Sequence, residues 1–273
     1  MKFGRYYEVS ITVDGQAIIF KPPINISFAL DKSCAGGLNR LTMDIYNPSD
    51  KHRLALVKDA EQVKPMAIEF KAGFADDFGT LFVGSVFRAQ AKRVGPNLIT
   101  RIESLDGWYD LSNADVSVTV DNPDSAVDAI LGGLTTITKG KITSRPSLSS
   151  PKVLVGSALK VLRDCIGPDE KIFIDNGQLF IVKNDETLSS FVPLVSAKTG
   201  LMNTPVRQQK KISFETMLNP AIRMQCMFEL ELVVMPHLNG QYMCQSLHYS
   251  GEYDGRDWKQ SIVGLASPEY KEL

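Results

Sequence analysis

Histidine and cysteine are the side chains that most often bind metals or transfer protons in proteins. The 273-residue chain has three histidines, His52, His237 and His248. His248 follows Cys244 by four residues, a spacing that places both side chains on one face of a strand. A zinc site would need further ligands at a CxxC or HxxxH spacing, which the sequence lacks. His52 falls on the polar side of a short predicted helix and His237 in a predicted turn, so we predict no metal site.

Carboxylates near the two tryptophans are the second candidate for chemistry. They are Asp106 and Asp110 near Trp108, and Glu252, Asp254 and Asp257 near Trp258. Carboxylates serve as acid, base or nucleophile in glycosidases, but acidic turn residues beside a packed tryptophan are far commoner. The chain also has no GxSxG, GxGxxG, Walker-type or HExxH motif. We therefore predict no catalytic residue, no cofactor-binding residue and no enzymatic activity.

The charge balance argues against a strongly charged partner. The chain carries 30 basic and 31 acidic residues, a formal net charge of −1. Proteins that grip many phosphates usually have a basic stripe, whereas the densest basic run here is the short segment 207–211, with sequence RQQKK. A solvated loop or strand edge is the simpler interpretation of this run. We predict no sequence-specific nucleic-acid binding.

The cysteines and the N-terminal residues indicate the cellular compartment in which the chain folds. The four cysteines lie far apart in the sequence and form no CxxC motif; they are Cys34, Cys165, Cys226 and Cys244. This pattern favours reduced thiols in a protein that folds in a cytoplasm. The first five residues precede a polar, alternating strand, so we expect no signal peptide. No window approaches the roughly 18 apolar residues of a membrane span. We expect assembly in a cytoplasm, with no membrane span.

Residues 65–108 are the stretch around which the rest of the chain is organised. Apolar and polar residues alternate over 66–74, and further strands are predicted at 80–92 and 98–105. Turns at 76–79 and 95–97 separate them, the second containing Gly-Pro-Asn. Three paired strands with a shared apolar face approach the minimum for a stable sheet. This meander is predicted to be the heart of a β-barrel or sandwich.

The order of elements along the chain is β, then α+β, then β. Before the meander we predict an Asp14-Gly15 hairpin, strands over 24–30 and 41–45, and a short helix capped by Ser49. Residues 121–185 contain two predicted helices, at about 125–134 and 155–166, a loop at 139–151, and an Asn176-Gly177 hairpin. From 186 the chain is β again. We predict a mainly β protein with an α+β middle module, divided at 1–120, 121–185 and 186–273.

Several motifs, taken together, resemble the tailed-phage baseplate hub family. The run from Ile26 to Ser49, with ISF, DKS and GLNRLTMDIYNPS, resembles the opening of that family. The family includes the late-control D-type tail proteins and is similar to the N-terminal part of type VI secretion spike proteins. Further matches are Ala72-Gly73-Phe74, the GxxFxG pattern at 79–84, Asp106-Gly107-Trp108, Thr199-Gly200-Leu201, Leu218-Asn219-Pro220, Asn239-Gly240-Gln241-Tyr242, His248-Tyr249-Ser250-Gly251 and Asp257-Trp258.

The resemblance implies a structural protein of the virion, located in the tail baseplate. Each chain would contribute two similar tube-forming β-barrel domains, at 1–120 and 186–273, with the middle module peripheral to them. A homotrimer would then form a pseudo-six-fold ring that adapts the tail tube to the central spike. The implied partners are the tail tube or tube-initiating protein, the spike, baseplate wedge proteins and the tape-measure protein. Some relatives carry a fused needle or lytic domain; with the short stretch that follows Glu252–Asp257, we expect none here.

A second function class stays open from the sequence. The surroundings of Trp108 or Trp258 are also compatible with a phage-associated carbohydrate-active enzyme or receptor-binding module. A ring of three copies with an open channel would favour the hub, whereas a deep cleft lined by carboxylates would favour the enzyme.

Overall fold

Antiparallel β-structure dominates the molecule. The structure is a computed structural model that describes residues 4–57, 66–120, 123–143, 152–164 and 166–266. The N-terminal segment forms seven strands: β1 (Arg5–Val13), β2 (Gln16–Phe20), β3 (Ile26–Ser33), β4 (Arg40–Tyr46), β5 (Met66–Phe74), β6 (Asp77–Val94) and β7 (Asn97–Leu105). Helix α1 (Asp50–Leu56) lies between β4 and β5. As predicted, the side chain of Ser49 caps it by accepting a hydrogen bond from the His52 N–H.

The middle of the chain contains short helices and two small sheets. Helix α2 (Trp108–Asn113), β8 (Asp115–Val120), α3 (Pro123–Gly132), β9 (Thr138–Ile142), β10 (Lys152–Ser157), α4 (Ala158–Asp164), β11 (Glu170–Asp175) and β12 (Gln178–Lys183) follow one another. β8 pairs with β10, and β9, β12 and β11 form a three-stranded sheet. The strand at 115–120 therefore pairs with a strand of the middle module. These elements enclose their own apolar core, which includes Val127, Ile130 and Leu162.

Two predictions in the middle module were wrong in detail. The predicted helix at 155–166 is a strand followed by a helix, because Gly156 has φ +139°, outside the helical region, and Val155 pairs with Ser117 of β8. The predicted loop at 139–151 contains β9, which pairs in parallel with β12. The Asn176-Gly177 hairpin is confirmed, with φ values of 53° and 73° as a type I′ turn requires. Residues 144–151 and Cys165 lie outside the described residues.

The C-terminal segment returns to the large sheet. Its strands are β13 (Leu194–Val195), β14 (Val206–Gln208), β15 (Lys211–Met217), β16 (Met227–Leu230), β17 (Gly240–Glu252) and β18 (Trp258–Ala266), with a 3₁₀ helix at Pro236–Leu238. The main strand order is β14-β15-β18-β17-β3-β4-β7-β6-β5-β1-β2, with β16 on β17 and β13 on β16. Because β17 pairs antiparallel with β3 from Ser246↔Ser33 to Glu252↔Ser27, the two ends of the chain share one sheet.

The predicted meander is confirmed as β5, β6 and β7, and its inward residues lie in a core shared with the C-terminal segment. The ring of Phe28 lies 4.8 Å from that of Phe70 and 5.3 Å from that of Trp258, centroid to centroid. Trp258 also donates a 2.8 Å hydrogen bond from its indole N–H to the Gly73 carbonyl. A Cβ atom at Gly251 would lie 2.7 Å from both the Phe28 and the Trp258 ring, so only glycine fits this close approach. The chain is thus mainly β with a few helices.

Candidate functional site

A buried polar cluster joins the middle module to the large sheet. Lys32 projects from β3, and its Nζ lies 2.6 Å from the Asp175 carboxylate and 3.1 Å from the Asn176 side-chain oxygen. The two charged side chains are only 5% and 13% exposed. Asp175 and Asn176 lie at the tip of the β11–β12 hairpin. This tip is therefore held to the sheet by a buried ion pair, and we call the contact the hairpin junction.

Asn39 and Asp106 complete the hairpin junction. The side-chain amide of Asn39 donates a hydrogen bond to the Ile174 carbonyl at 2.9 Å. The backbone carbonyl of Asn39 accepts a hydrogen bond from the backbone N–H of Asp106 at 3.0 Å. The Asp106 carboxylate accepts the Gly177 N–H at 2.9 Å. Asn176 and Gly177 have positive φ angles, and the turn that they form directs the Gly177 N–H towards Asp106, the residue directly after the end of β7. Sequence analysis considered Asp106 among the carboxylates near Trp108 and predicted no site there; it considered neither Lys32 nor Asn39.

Burial and, to a smaller extent, the nearby charge of Asp175 raise the pKa of the Asp106 carboxyl, which is about 7 in the folded chain. Lys32 and the backbone N–H groups of Gly177 and Asn176 oppose this shift. A carboxyl with a pKa near neutrality is a candidate acid or base. Asp106 is 0% exposed, however, so no substrate can reach it in this structure. The arrangement is suited to holding two parts of the chain together.

Asp110 organises the loop after α3 in a similar way. Its carboxylate accepts the N–H groups of Thr135, Thr136 and Ile137 at 2.5–3.0 Å, and both threonine hydroxyls at 2.8 Å. Burial raises the pKa of Asp110, but these hydrogen bonds outweigh burial and the pKa is lowered. Trp108 lies at the start of the same helix and packs against Phe87, with 6.0 Å between ring centroids. The acids near Trp108 thus bind backbone groups of the protein itself.

The acids near Trp258 belong to a turn that Arg5 organises. The Arg5 guanidinium donates to the carbonyls of Glu252, Tyr253, Gly255 and Arg256 at 2.6–3.2 Å. It also lies 5.7 Å from the centroid of the Trp258 ring. The side chains of Asp254 and Asp257 do not converge with Trp258 on a cleft, because Trp258 is 5% exposed and packs in the core. Sequence reasoning missed Arg5, which lies 247 to 251 positions from its partners.

The predicted histidine positions lie apart from one another. His248 Nδ1 lies 2.6 Å from Asp31 on the neighbouring strand β3, at the surface, while Cys244 is fully buried. The ring of His52 packs edge-on against Phe20 at 5.7 Å, and His237 is exposed in the 3₁₀ helix. Across the described ranges there is no group of three His, Cys, Asp or Glu side chains that could hold a metal. The basic run at 207–211 forms the β14–β15 hairpin at one end of the main strand order.

An apolar groove opens next to this hairpin. It has a volume of about 740 Å³ and is lined by Leu194 and by residues 196–199, 201–205 and 231–235. Val233 and Val234 are 91% and 89% exposed, and Met202 is 55% exposed. Exposed apolar clusters of this kind mark protein interaction sites. Sequence reasoning did not single out this groove, although the tandem valines before Met235 were a visible signal.

The fold matches solved structures of tail and secretion proteins over nearly its whole length. The 43 kDa tail protein from Shewanella oneidensis prophage MuSo2 is 9% identical, with a TM-score of 0.61, covering 95% of this chain and 97% of that one. An E. coli type VI secretion component, c3393, described as structurally similar to the T4 tail proteins gp27 and gp5, is 9% identical with a TM-score of 0.67, covering 96% and 79%. The Francisella PdpA–VgrG complex contains a chain that is 10% identical with a TM-score of 0.61, covering 99% and 54%.

At 9–10% identity these likenesses show a shared fold and nothing more: the chain has the mainly β fold of these proteins. The chain belongs to the baseplate hub gp41 family, whose model matches residues 6–256. It is therefore a structural protein of the phage tail and baseplate, located in the virion. The family resemblance found in the sequence is confirmed. A search of curated protein sequences finds no match. In the part of the chain that the structure describes, no helix is both long and apolar enough to cross a membrane.

Proposed function

We propose that three copies of this chain form a ring that adapts the six-fold tail tube to the central spike. Family membership carries this proposal, because a baseplate hub lies where tube and spike meet. Closed rings of identical subunits repeat one contact around an axis. A trimer can match a six-fold tube when each chain presents two similar surfaces. We place these surfaces in two tube-forming domains of barrel type, at about 1–120 and 186–273.

The shared sheet supports this arrangement. β3 and β17 bring the two end segments side by side, so one chain can offer neighbouring β surfaces to the tube. We place the middle module, about 121–185, outside this framework as a peripheral unit, which the hairpin junction attaches at the ends of β3, β4 and β7. The tail tube or tube-initiating protein, the spike, wedge proteins and the tape-measure protein are the proposed partners. The likeness to a chain of a PdpA–VgrG complex and to a protein compared with gp27 and gp5 supports the spike contact.

A carbohydrate-active enzyme or receptor-binding module is not favoured by any specific contact. Sugar-binding tryptophans present a ring face to solvent, whereas Trp258 packs against Phe28 and bonds Gly73 through its indole N–H. The polar groups near Trp108 are likewise engaged with backbone atoms. We therefore propose that this chain acts through assembly and has no enzymatic role.

Copy number in the particle tests the ring. Native mass spectrometry of the purified protein, together with imaging of the baseplate, should find three copies per ring around an open channel. The isolated protein can dissociate at low concentration, so the particle is the decisive sample. Two, four or six copies per ring would contradict the proposal.

A further inference from the structure

A second cavity lies between the middle module and the large sheet, and we call it the basic cleft. It has a volume of about 810 Å³, and sites for small ligands typically measure about 300–1,000 Å³. Arg163 and Lys171 line it from the middle module, while Lys211 and Gln245 line it from the large sheet. Boundaries between two parts of a chain are preferred places for ligand sites. The basic cleft therefore has the position and the size of a ligand site.

The charged residues that line the basic cleft carry an excess of positive charge. Three of them are basic, Arg163, Lys171 and Lys211, and one is acidic, Glu170. The Glu170 carboxylate already accepts the Gly167 N–H at 2.9 Å. Among the described residues, none of the three basic side chains forms an ion pair. In a chain with a net charge of −1, this local excess attracts anions.

Lys171 is the half-buried cation of the basic cleft. Its Nζ donates to the side-chain oxygens of Gln225 at 3.0 Å and Gln245 at 3.4 Å, both of which are neutral acceptors. Burial lowers the pKa of Lys171, and the charges of Cys34 and Asp185 oppose this shift without reversing it. Partly buried charges are normally paired. An ammonium has three donors, so Lys171 keeps one N–H for a ligand that would supply the missing counter-ion.

The side-chain amide of Gln245 has a donor without an acceptor. Its oxygen accepts from the Lys171 ammonium, while its Nε2 atom is buried and has no hydrogen-bond partner among the described residues. Buried donors without a partner are rare and costly in folded proteins. When an oxyanion binds beside the ammonium, the amide can turn and donate to it. The basic cleft thus places an unused donor next to a cation that has no ion-pair partner.

We propose that the basic cleft binds a phosphate group and that the bound phosphate links the middle module to the large sheet. Lys171 and Gln245 donate to its oxygens, and Arg163 and Lys211 add positive charge from the two sides. Hydrogen bonds between charged groups of this kind are among the strongest in proteins. Three basic residues against one acidic residue match the double charge of a phosphate better than the single charge of a carboxylate. The inference goes beyond the proposed ring and does not depend on it.

Calorimetric titration of the purified protein with inorganic phosphate tests the site, with chloride holding the ionic strength constant. The wild type should bind one phosphate per chain. K171M should weaken this binding by about tenfold or more, because it removes a charged donor. The matched control K139M removes the same charge from an exposed ion pair with Asp128 that lies outside the cleft. Its dissociation constant should stay within about twofold of the wild-type value.

Two substitutions of Gln245 test the same site without removing a cation. Q245E places a carboxylate 3.4 Å from the Lys171 ammonium, at the position of the present amide oxygen. This variant should lose phosphate binding, and its thermal midpoint in phosphate-free buffer should rise, because the cation now has a permanent partner. Q245L removes the amide without adding charge, so it should weaken phosphate binding without raising the midpoint.

A second ligand distinguishes a free phosphate ion from a phosphate carried on an organic molecule. Tighter binding of glycerol 3-phosphate than of inorganic phosphate would support the site and assign the organic source, and the reverse order would support it and assign the free ion. A wild type that binds neither, a K171M variant that binds like K139M, or a Q245E variant that still binds phosphate would overturn the inference. None of these results bears on the copy number in the ring.

Discussion

Lys32 of β3 and Asp175 of the β11–β12 hairpin form a buried ion pair with 2.6 Å between Nζ and Oδ1. This pair ties the middle module to the sheet. Removing one partner from a buried pair leaves an uncompensated charge and typically costs about 3–5 kcal/mol. K32M should therefore destabilise the chain by roughly this amount and expose the module to limited proteolysis.

The exposed pair Lys139–Asp128 serves as the control for this change. Its side chains are 44% and 53% exposed, and exposed pairs contribute about 0–1 kcal/mol. K139M should leave both the unfolding midpoint and the proteolysis pattern close to wild type. If K32M behaves like K139M, the hairpin junction does not hold the module.

Asp106 should make stability depend on pH. Its pKa is about 7 in the folded chain against 3.8 as the ordinary value, so between these values the folded state holds a proton that the unfolded state releases. The free energy of unfolding should fall as the pH rises from about 4 to 7 and should then level off. The fall should amount to about 1.4 kcal/mol for each unit by which the folded and unfolded pKa values differ. Denaturant titrations of D106N, which cannot titrate here, should lack this decline.

The pH dependence of stability that Asp110 contributes should have the opposite sign to that of Asp106. Its folded pKa is lowered, so its contribution is present above the ordinary carboxyl pKa and is lost as the pH falls below it. At neutral pH, D110A should leave the N–H groups of residues 135–137 without their carboxylate acceptor and cost about 1–3 kcal/mol. The loss should shrink under acid conditions, and a D110A effect that is constant with pH would refute this role.

Gly251 should tolerate no side chain. A Cβ there meets the rings of Phe28 and Trp258 at 2.7 Å, and overpacking typically costs about 1–3 kcal/mol. G251A should lower the thermal midpoint, whereas G37A, with no heavy atom within 4 Å of its added Cβ, should not. Equal midpoints would show that the strands β3 and β17 can separate to accommodate a methyl group.

Substituting His248, Asp254 and Asp257 by Ala should affect folding or assembly at most. His248 pairs with Asp31 at the surface, and the two acids lie in the turn that Arg5 holds. Hydrolysis of cell wall or polysaccharide by the pure protein, abolished by one of these changes, would overturn the structural assignment. Digestion assays with the wild type and each single variant make this comparison.

Local patterns in the sequence determined most of the β-strands. The alternation over 66–74 predicted the face of β5 that buries Ile68, Phe70 and Ala72, because successive strand residues face opposite sides. Asn176-Gly177 predicted its hairpin, because both positions need a positive φ that these residues tolerate. The ordered motifs along the chain were also sufficient to predict the family.

Only the tertiary structure decided which distant segments meet. Val155 fits an apolar helical spacing, yet pairing with β8 makes Val155 and Gly156 part of a strand, because tertiary pairing outweighs weak local propensity. Arg5 has no local signal for its partners in the turn after β17, nor Lys32 for Asp175, since each pair forms only when the sheet brings the segments together. Residue types and spacing determine the local elements, while long-range packing determined the hairpin junction and the shared core.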